Sequence, residues 1–275
     1  MQHEKVVQIT PLVRRITAGN SSVFTGPGTN TYIVGNGKDL TVVDPGPALS
    51  EHIEAIVSCS SDLSRILVTH THLDHSPGVS LLQDKLDIPA YGLITETTQN
   101  QDTSFKPEKL LTDGQIIEAN DHNIEVIHTP GHASNHLCFL LKEEKLLFTG
   151  DHIMNGSTVV ISPPDGDMQD YLDSLNKLKQ YDLENIAPGH GELLTNPHSV
   201  AEWIIQHRLE REEKVIEAIK EATQGNPDTL VKKVYSDVDA ALFPIAKWSL
   251  EAHLIKLQNE KRVVREGNQF IWKDN

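Results

Sequence analysis

The chain has 275 residues, of which 38% are hydrophobic and 23% charged, as expected for a globular protein with one large core or two unequal domains. Its formal net charge of −15 argues against general binding of polyanions, and no run approaches the roughly 20 apolar residues that cross a bilayer. No apolar segment typical of a secretion signal follows Met1, and Cys59 and Cys138 do not form a CxxC motif. The sequence therefore predicts a cytoplasmic protein without membrane contact, in which both cysteines are reduced and buried.

The acidic excess lies in the first part of the chain. Residues 200–275 hold 12 Lys and Arg against 13 Asp and Glu, so almost the whole net charge belongs to residues 1–199. An anionic substrate would need metal ions or local basic groups to draw it toward this part.

The apolar pattern of the first 92 residues alternates strands with helices. The predicted strands are 6–18, 31–34, 40–43, 65–69 and 88–92, and the predicted helices are 50–58 and 79–86. Gly35, Asn36 and Gly37 are typical of a hairpin turn. Residues 94–109 are polar and irregular, which predicts a surface loop.

The middle of the chain begins with four runs typical of antiparallel strands, at 115–119, 124–128, 136–141 and 145–149. An amphipathic helix at 165–180 and a short strand at 185–187 follow. Strands followed by helices in each half indicate an α+β fold in which two sheets pack face to face with helices outside. We assign residues 1–197 to this first domain.

The remaining residues have a different pattern. Asn196 and Pro197 are typical of a helix start, and helices are predicted at 199–223, 229–235 and 245–260. Residues 263–272 have a hairpin pattern with Gly267 near the turn. Three helices and a hairpin predict a winged-helix domain of residues 198–275.

A dense group of metal-ligand side chains lies between the strand at 65–69 and the helix at 79–86. His70 and His72 are two residues apart, so both imidazoles face the same side of an extended segment. Asp74 and His75 follow where the chain turns, and they can face a second centre. Three histidines and a carboxylate suit zinc, with iron or manganese as alternatives.

Three more ligand-type residues each follow a strand and a glycine-containing turn. They are His132 in the string TPGH, Asp151 in FTGD and His190 in APGHG. The order HxHxDH, then His, Asp and His resembles the metallo-β-lactamase superfamily over roughly residues 5 to 195. Four separated motifs agree in residue type, order and local context, which makes the resemblance specific.

This resemblance implies an αββα sandwich that binds two zinc ions. The implied ligands are His70, His72 and His132 for one zinc, Asp74, His75 and His190 for the second, and Asp151 as a bridge. Two metals about 3.5–4 Å apart lower the pKa of a shared water and stabilise the oxyanion that its attack creates. Asp74 would either orient that water and shuttle its proton, or act only as a ligand.

Several residues outside the ligand set have two candidate roles. Asp44 either supports the ligands, as a carboxylate does near this position in the family, or caps a turn. His136 is at a position that is often histidine in this superfamily, where it would touch substrate or orient a ligand. His128 and His152 are predicted to be structural. The other histidines are predicted to lie on the surface, namely His3, His52, His122, His198, His207 and His253.

A second resemblance covers nearly the whole chain. The string Gly28-Thr29-Asn30-Thr31-Tyr32, the glycine turns and the winged helix together resemble the β-lactamase-like group whose animal member is a mitochondrial single-strand endoribonuclease. This implies hydrolysis of single-stranded RNA, which would be helped by the basic residues Lys232, Lys233, Lys256, Lys261, Arg262 and Arg265. The string is otherwise a turn that feeds a strand, with Asn30 as its cap. Leu73, Ser76 and Pro77 depart from the pattern of relatives, which leaves the ligands intact and the substrate open.

Two other functions are consistent with the sequence. A thioester, lactone or lactam hydrolase, as in the glyoxalase II and lactamase branches, would use the same metals on an acyl carbon. The missing export signal and the missing basic clamp for glutathione count against this alternative. A binding module with an inert metal domain is the third candidate, and the complete ligand set argues against it. The winged helix could also be a lid or the arm of a homodimer.

Overall fold

The computed structural model describes residues 2–273, which form an α+β fold of six α-helices and three β-sheets. Contacts along the chain group the described residues into two compact units. The first unit comprises the residues up to 129, then 135–158 and 181–198, and the second comprises 130–134, 159–180 and the residues from 199 onward. The α+β class is confirmed, whereas the domain boundary between residues 197 and 198 stays a prediction.

The first sheet belongs to the first unit and has seven strands in chain order. They are β1 (Val7–Gln8), β2 (Val13–Thr17), β3 (Asn30–Val34), β4 (Leu40–Val43), β5 (Leu63–Leu67), β6 (Ala90–Gly92) and β7 (Lys109–Leu110). Neighbours from β1 to β4 are antiparallel, and those from β4 to β7 are parallel. Parallel neighbours need a crossover connection, which the helix α1 (Ser50–Cys59) provides from β4 to β5 and the helix α2 (Gly78–Gln83) from β5 to β6. Ile53, Ile56 and Leu82 of these helices pack on one face of the sheet.

The second sheet also belongs to the first unit. Its strands are β8 (Ile116–Glu118), β9 (Asn123–His128), β10 (Leu137–Leu141), β11 (Leu146–Gly150), β12 (Asn185–Pro188) and β13 (Leu194–Thr195), in the spatial order β13-β12-β11-β10-β9-β8. The four predicted antiparallel strands are confirmed as β8 to β11, and β11 and β12 are parallel. The main core lies between the two sheets, where the Tyr32 and Phe148 ring centroids are 5.1 Å apart.

The helices of the second unit are α3 (Met168–Leu178), α4 (Pro197–Ala222), α5 (Pro227–Val234) and α6 (Phe243–Asn259). The first two residues of α4 still belong to the first unit. The strands of the second unit are β14 (Gln224–Gly225), β15 (Val263–Glu266) and β16 (Gln269–Trp272). The predicted three helices and hairpin are confirmed. Strand β14 pairs with β16 but was not predicted, because two residues show no periodicity. Pro197 begins α4 as predicted, although Asn196 has left-handed backbone (φ 56°) in place of the extended backbone of an N-cap.

The loop at 94–109 differs from its prediction. It is irregular, but Gln101, Asp102 and Phe105 are buried. The Asp102 N–H donates to the Thr71 carbonyl (2.6 Å), and Asp102 Oδ2 accepts a hydrogen bond from Ser76 Oγ (2.8 Å). The polar composition of the loop predicted that its side chains are exposed. Hydrogen bonds to the HxHxDH segment instead hold this part of the loop in the interior.

The cysteines and the helix lengths were also predicted from the sequence. Cys59 and Cys138 form no disulfide within residues 2–273, but Cys59 is only half-buried. Across residues 2–273, no helix combines the length and the apolar character that a membrane crossing requires.

Candidate metal centre

Asp44 and the predicted ligands of the first unit follow the carboxyl ends of parallel strands. In the first sheet, Asp44 directly follows β4 and the segment 70–75 follows β5, and in the second sheet Asp151 follows β11 and His190 follows β12. Parallel neighbours end at the same edge of a sheet, so each sheet brings its own turns together at one edge.

Two overlapping groups of side chains in the first unit could hold a cation. The ligand atoms of His70, His75 and Asp151 lie within 4.8 Å of one another, and so do those of Asp74, His75 and His190. Asp151 Oδ1 is 3.4 Å from His75 Nε2 and 3.2 Å from His190 Nε2, which places this carboxylate beside both groups. His72 lies next to the first group, since its Nδ1 is 2.9 Å from His70 Nε2.

The donor atoms fit a divalent metal. Within residues 2–273, the buried Nε2 atoms of His75 and His190 make no hydrogen bond, although Asp74 Oδ2 lies 3.5 and 3.3 Å from them. Leaving buried polar atoms without partners costs free energy. A cation among these nitrogen and oxygen atoms would satisfy them together, and such ligands are those that zinc prefers.

The charges of the site favour a cation. Burial lowers the pKa of His190, but the Asp151 and Asp74 carboxylates outweigh burial and raise this pKa to about 10. Burial likewise opposes charge on His75, whose pKa is nevertheless raised well above its usual value by Asp74, Asp151 and Asp44. Burial raises the pKa of Asp74, and the neighbouring His75 and His190 more than offset this and hold it at about 2. The negative potential that attracts protons to these imidazoles also attracts a metal ion.

Asp44 orients His75. Its Oδ2 accepts hydrogen bonds from His75 Nδ1 (2.8 Å) and Thr69 Oγ1 (2.7 Å), and its Oδ1 accepts one from the Thr69 N–H (2.7 Å). A proton held on Nδ1 leaves the lone pair of a neutral imidazole on Nε2, the atom that faces the other ligands. The structure thus places Asp44 in the supporting role that the sequence suggested.

The Gly28–Tyr32 string has a role that sequence reasoning missed, because it holds the turn that carries His190. The Gly28 carbonyl accepts a hydrogen bond from His190 Nδ1 (3.2 Å), and Asn30 Nδ2 donates to the carbonyls of Pro188 (3.0 Å) and Gly191 (2.9 Å). Thr29 Oγ1 donates to Asp74 Oδ2 (3.2 Å). The available signal was a run of hydrogen-bonding side chains entering an otherwise apolar strand, which needs buried partners.

His132 lies in the segment 130–134 of the second unit. It is half-buried, and its Nδ1 donates a hydrogen bond to the Val160 carbonyl (2.8 Å), which leaves the lone pair of the neutral imidazole on Nε2. Its assignment as a zinc ligand stays a prediction.

His136 is buried and orients a predicted ligand, one of the two roles expected for it. Its Nε2 accepts a hydrogen bond from the Asp151 N–H (3.2 Å), and its Nδ1 is 3.0 Å from Thr129 Oγ1. This contact holds the backbone that carries the Asp151 carboxylate.

Three histidines predicted on the surface are instead buried, namely His52, His122 and His253. Each has a polar partner that is distant in sequence: His52 binds Glu4 Oε2 (2.6 Å) and Thr31 Oγ1 (2.7 Å), His122 binds Thr41 Oγ1 (3.1 Å), and His253 binds Glu212 Oε2 (3.2 Å). These partners offset the cost of burying the imidazoles, although His253 Nε2 has no hydrogen-bond partner within residues 2–273, and the surface prediction was wrong for these three histidines. His3 and His198 are exposed as predicted, and His207 is half-buried.

Comparison with known proteins gives matches to two family models. The model described as the Metallo-beta-lactamase superfamily matches residues 24–190, and the Beta-lactamase associated winged helix domain matches residues 227–272. A Beta-lactamase-like protein 2 homolog from Caenorhabditis elegans is 30% identical over 272 residues, which cover 96% of this chain and 86% of the relative. An atrochrysone carboxyl ACP thioesterase from Aspergillus chevalieri is 32% identical over 275 residues, which cover 95% of this chain and 85% of the relative.

Solved structures support the same architecture. A beta-lactamase domain protein from Burkholderia ambifaria has a TM-score of 0.82 at 17% identity, over 98% of this chain and 94% of that one. This likeness confirms the predicted sandwich followed by a winged helix. Because a family model matches most of the chain and relatives of at least 30% identity align along nearly all of it, the chain belongs to the metallo-beta-lactamase superfamily of hydrolases and carries the associated winged helix domain.

Proposed function

We propose that the chain is a dinuclear metal-dependent hydrolase that cleaves an acyl thioester. The observation that carries the proposal is the pair of buried Nε2 atoms of His75 and His190, which face the Asp74 and Asp151 carboxylates but make no hydrogen bond to any residue from 2 to 273. We retain the ligand set predicted from the sequence, with Asp151 shared by the two ions. Zinc is the first choice of metal, and manganese and iron are the alternatives.

When bound, the metal pair supplies an activated water and stabilises negative charge that develops on the substrate oxygen. We assign to Asp74 the role of orienting that water. Its Oδ2 lies among Thr29, His75 and His190. Its Oδ1 makes no hydrogen bond to any residue from 2 to 273, and 26% of the side chain is exposed to solvent. A pKa of about 2 suits a carboxylate that accepts a hydrogen bond from water at neutral pH and does not keep the proton.

A thiolate is a leaving group that this site can release without a general acid. A thiol has a pKa near 8.5, so the sulfur departs as an anion once the acyl–sulfur bond breaks. The products are then a carboxylate and a free thiol, with the water oxygen retained on the acyl carbon.

Exposed apolar residues on the loops that build the site favour an acyl group. Leu73 is 59% exposed and lies between His72 and Asp74, and Val23 and Phe24 are exposed on the loop that leads to Gly28 and Thr29. Apolar side chains suit the hydrocarbon part of an acyl thioester and offer nothing to a phosphate. The relative named as a thioesterase supports the same substrate class, and its alignment includes the C-terminal region.

Hydrolysis of single-stranded RNA is the second candidate. It is favoured by relatives named Beta-lactamase-like protein 2 homologs, from the group whose resemblance suggested this substrate. Ion pairs in the winged helix weigh against it, because most of the basic residues that would attract RNA have acidic partners. These pairs are Lys233 with Glu221, Lys256 with Glu212 and Glu260, Arg262 with Glu260, and Arg265 with Glu251.

The test compares wild-type protein with Asp74→Asn, in the presence of zinc or manganese. The substrates are acyl-coenzyme A esters of increasing chain length, S-lactoylglutathione, a homoserine lactone, a cephalosporin and a single-stranded oligoribonucleotide. We expect thioester hydrolysis that Asp74→Asn reduces at least about 100-fold, while the exposed control Asp84→Asn leaves it unchanged.

The metal content of all three proteins is measured in parallel. RNA cleavage that depends on Asp74, without thioester turnover, would replace the first candidate with the second. If the protein holds two metals but is inactive on every substrate, the binding-module alternative would be favoured.

A further inference from the structure

The segment 130–134, which carries His132, is held by residues of the second unit. Ser174 Oγ donates to the Pro130 carbonyl (2.8 Å), the Asp167 N–H donates to the Gly131 carbonyl (2.9 Å), and Ser134 Oγ donates to Asp165 Oδ1 (2.6 Å). The orientation of this segment is therefore set by the same unit that contains helices α3 to α6.

The imidazole of His132 has a specific partner in the same unit. Its Nδ1 donates to the carbonyl of Val160, the middle residue of a strap that we define as Val159–Ile161. A hydrogen bond of this kind fixes the tautomer and the ring orientation of a metal-binding histidine. The position of the Val160 carbonyl therefore decides where His132 Nε2 points.

Helices α4 and α6 hold the strap from both sides of Val160. Arg208 of α4 donates from Nη2 to the Val159 carbonyl, and Ser249 Oγ of α6 accepts a hydrogen bond from the Ile161 N–H (3.2 Å). Val159 and Ile161 are themselves buried.

Burying the guanidinium of Arg208 costs free energy. It is 3% exposed, it makes no ion pair within residues 2–273, and its Nε has no hydrogen-bond partner there. Besides its bond to the Val159 carbonyl, the guanidinium lies over the face of the Tyr171 ring, with Cζ 5.5 Å from the ring centroid. A buried guanidinium without a carboxylate is unfavourable for stability alone, which points to a role in placing the strap.

We infer that Arg208 and Ser249 are positioning residues that orient His132 for metal binding through the Val159–Ile161 strap. The inference rests on the proposed function, in which His132 is a metal ligand. It gives helices α4 and α6 a role in orienting His132 that does not require nucleic acid.

The experiment measures the affinity of each of the two metal sites by competition with a chromophoric chelator. The variants are Arg208→Met, Ser249→Ala and the control Arg211→Met. Arg211 is a matched control because it is also a buried arginine of α4 that donates to a backbone carbonyl, that of Val234 (2.6 Å), and lies over a tyrosine ring, but it does not touch the strap.

We expect Arg208→Met to weaken one metal site about 10- to 100-fold and to leave the other near the wild-type value. Ser249→Ala should weaken the same site less, and Arg211→Met should bind both metals like wild type even if it unfolds at lower temperature. The cobalt-substituted proteins supply a second readout, since a turned imidazole changes the visible absorption of only one of the two cobalt ions.

Unchanged affinities in both Arg208→Met and Ser249→Ala would overturn the inference, and so would equal weakening in Arg211→Met. If Arg208→Met does not fold, Ser249→Ala, which removes a single hydroxyl, decides the question. A wild-type protein that binds no metal would instead overturn the proposed function, so the two failures can be told apart.

Discussion

Gly28, whose carbonyl accepts a hydrogen bond from His190, is a position that only glycine can occupy without strain. Its backbone has φ of 128°, and an added Cβ would lie 2.0 Å from the Ala18 carbonyl oxygen. We expect Gly28→Ala to lower the free energy of unfolding by about 3 kcal/mol, from strain and overpacking together. Gly26→Ala is the control, since Gly26 also has positive φ but has open space around it. Urea unfolding measures both variants, and equal losses would contradict the explanation.

Asp44 gives a second prediction for a single residue. Asp44→Asn keeps the shape of the side chain but removes the charged acceptor of the His75 Nδ1 proton, so the imidazole can adopt the wrong tautomer. We expect metal affinity about 10- to 100-fold below wild type, measured by chelator competition. Asp102→Asn is the matched control, because this buried carboxylate accepts hydrogen bonds from Ser76 and Ser104 and from no imidazole. Equal effects of the two substitutions would argue against a role for the His75 tautomer.

Residue types and spacing were enough to predict the ligand-type residues that the first unit brings together, because each follows a strand end and a short turn. They were not enough for His52, His122 and His253, which are buried. Isolated histidines in polar sequence are usually exposed, and only the fold brings Glu4 to His52 or Glu212 to His253. The exposure of a polar residue depends on partners that local sequence does not contain.

At the scale of elements, helices α4 and α6 share a buried polar group. Glu212 of α4 is hydrogen-bonded to His253 and Lys256 of α6. Burial lowers the pKa of His253, and Arg208 adds to this, while Glu212 opposes it less strongly. Burial raises the pKa of Glu212, but His253 and Lys256 outweigh burial and lower it.

This group predicts the pH dependence of stability. Both folded-state pKa values are below the usual values of 6.5 for histidine and 4.5 for glutamate, so the unfolded chain takes up more protons on acidification. Their contribution to stability is therefore present above these usual values and is lost as pH falls below them. On going from pH 7 to pH 5, we expect His253→Gln to lose less free energy of unfolding, or to gain more, than the wild-type protein, because the substitution removes the contribution of His253.

The measurement uses urea unfolding with a chelator present, so that loss of metal does not contribute to the slope. His198→Gln is the control, because His198 is exposed and should leave the wild-type slope unchanged. A His253→Gln protein with the same pH slope as wild type would contradict the role given to this group.

The sequence predicted elements with a strong apolar pattern well, and it predicted two-residue strands and irregular segments poorly. Strand β4 has its predicted bounds, and helix α6 begins two residues before and ends one residue before the predicted positions, because strong apolar patterns define both. Strand β14 and the buried part of the 94–109 loop were missed, since pairing and hydrogen bonds to distant segments create them. The hydrogen bonds from the Gly28–Tyr32 string to the turn that carries His190 were missed for the same reason.

On the scale of the whole molecule, the candidate site joins the two sheets of the first unit. Asp74 and His75 follow β5 of the first sheet, whereas Asp151 and His190 follow strands of the second. A metal bound to all four side chains would link the two sheets, and it would bind the folded chain but not the unfolded one. Metal binding should therefore contribute directly to the stability of the fold.

We accordingly expect chelation to lower the thermal midpoint and added zinc to restore it. Zinc at a free concentration 100 times its dissociation constant would stabilise the fold by about 2.7 kcal/mol, which corresponds to a shift of about 5 to 10 °C for a chain of this size. His190→Gln should abolish most of the shift, because its Nε2 lies beside both carboxylates. His198→Gln should keep the whole shift, since its imidazole is exposed and bonded to the Tyr181 carbonyl. If zinc raises the midpoint of His190→Gln as much as that of His198→Gln, the ion binds elsewhere, and the side chains at the two sheet edges do not form the metal centre.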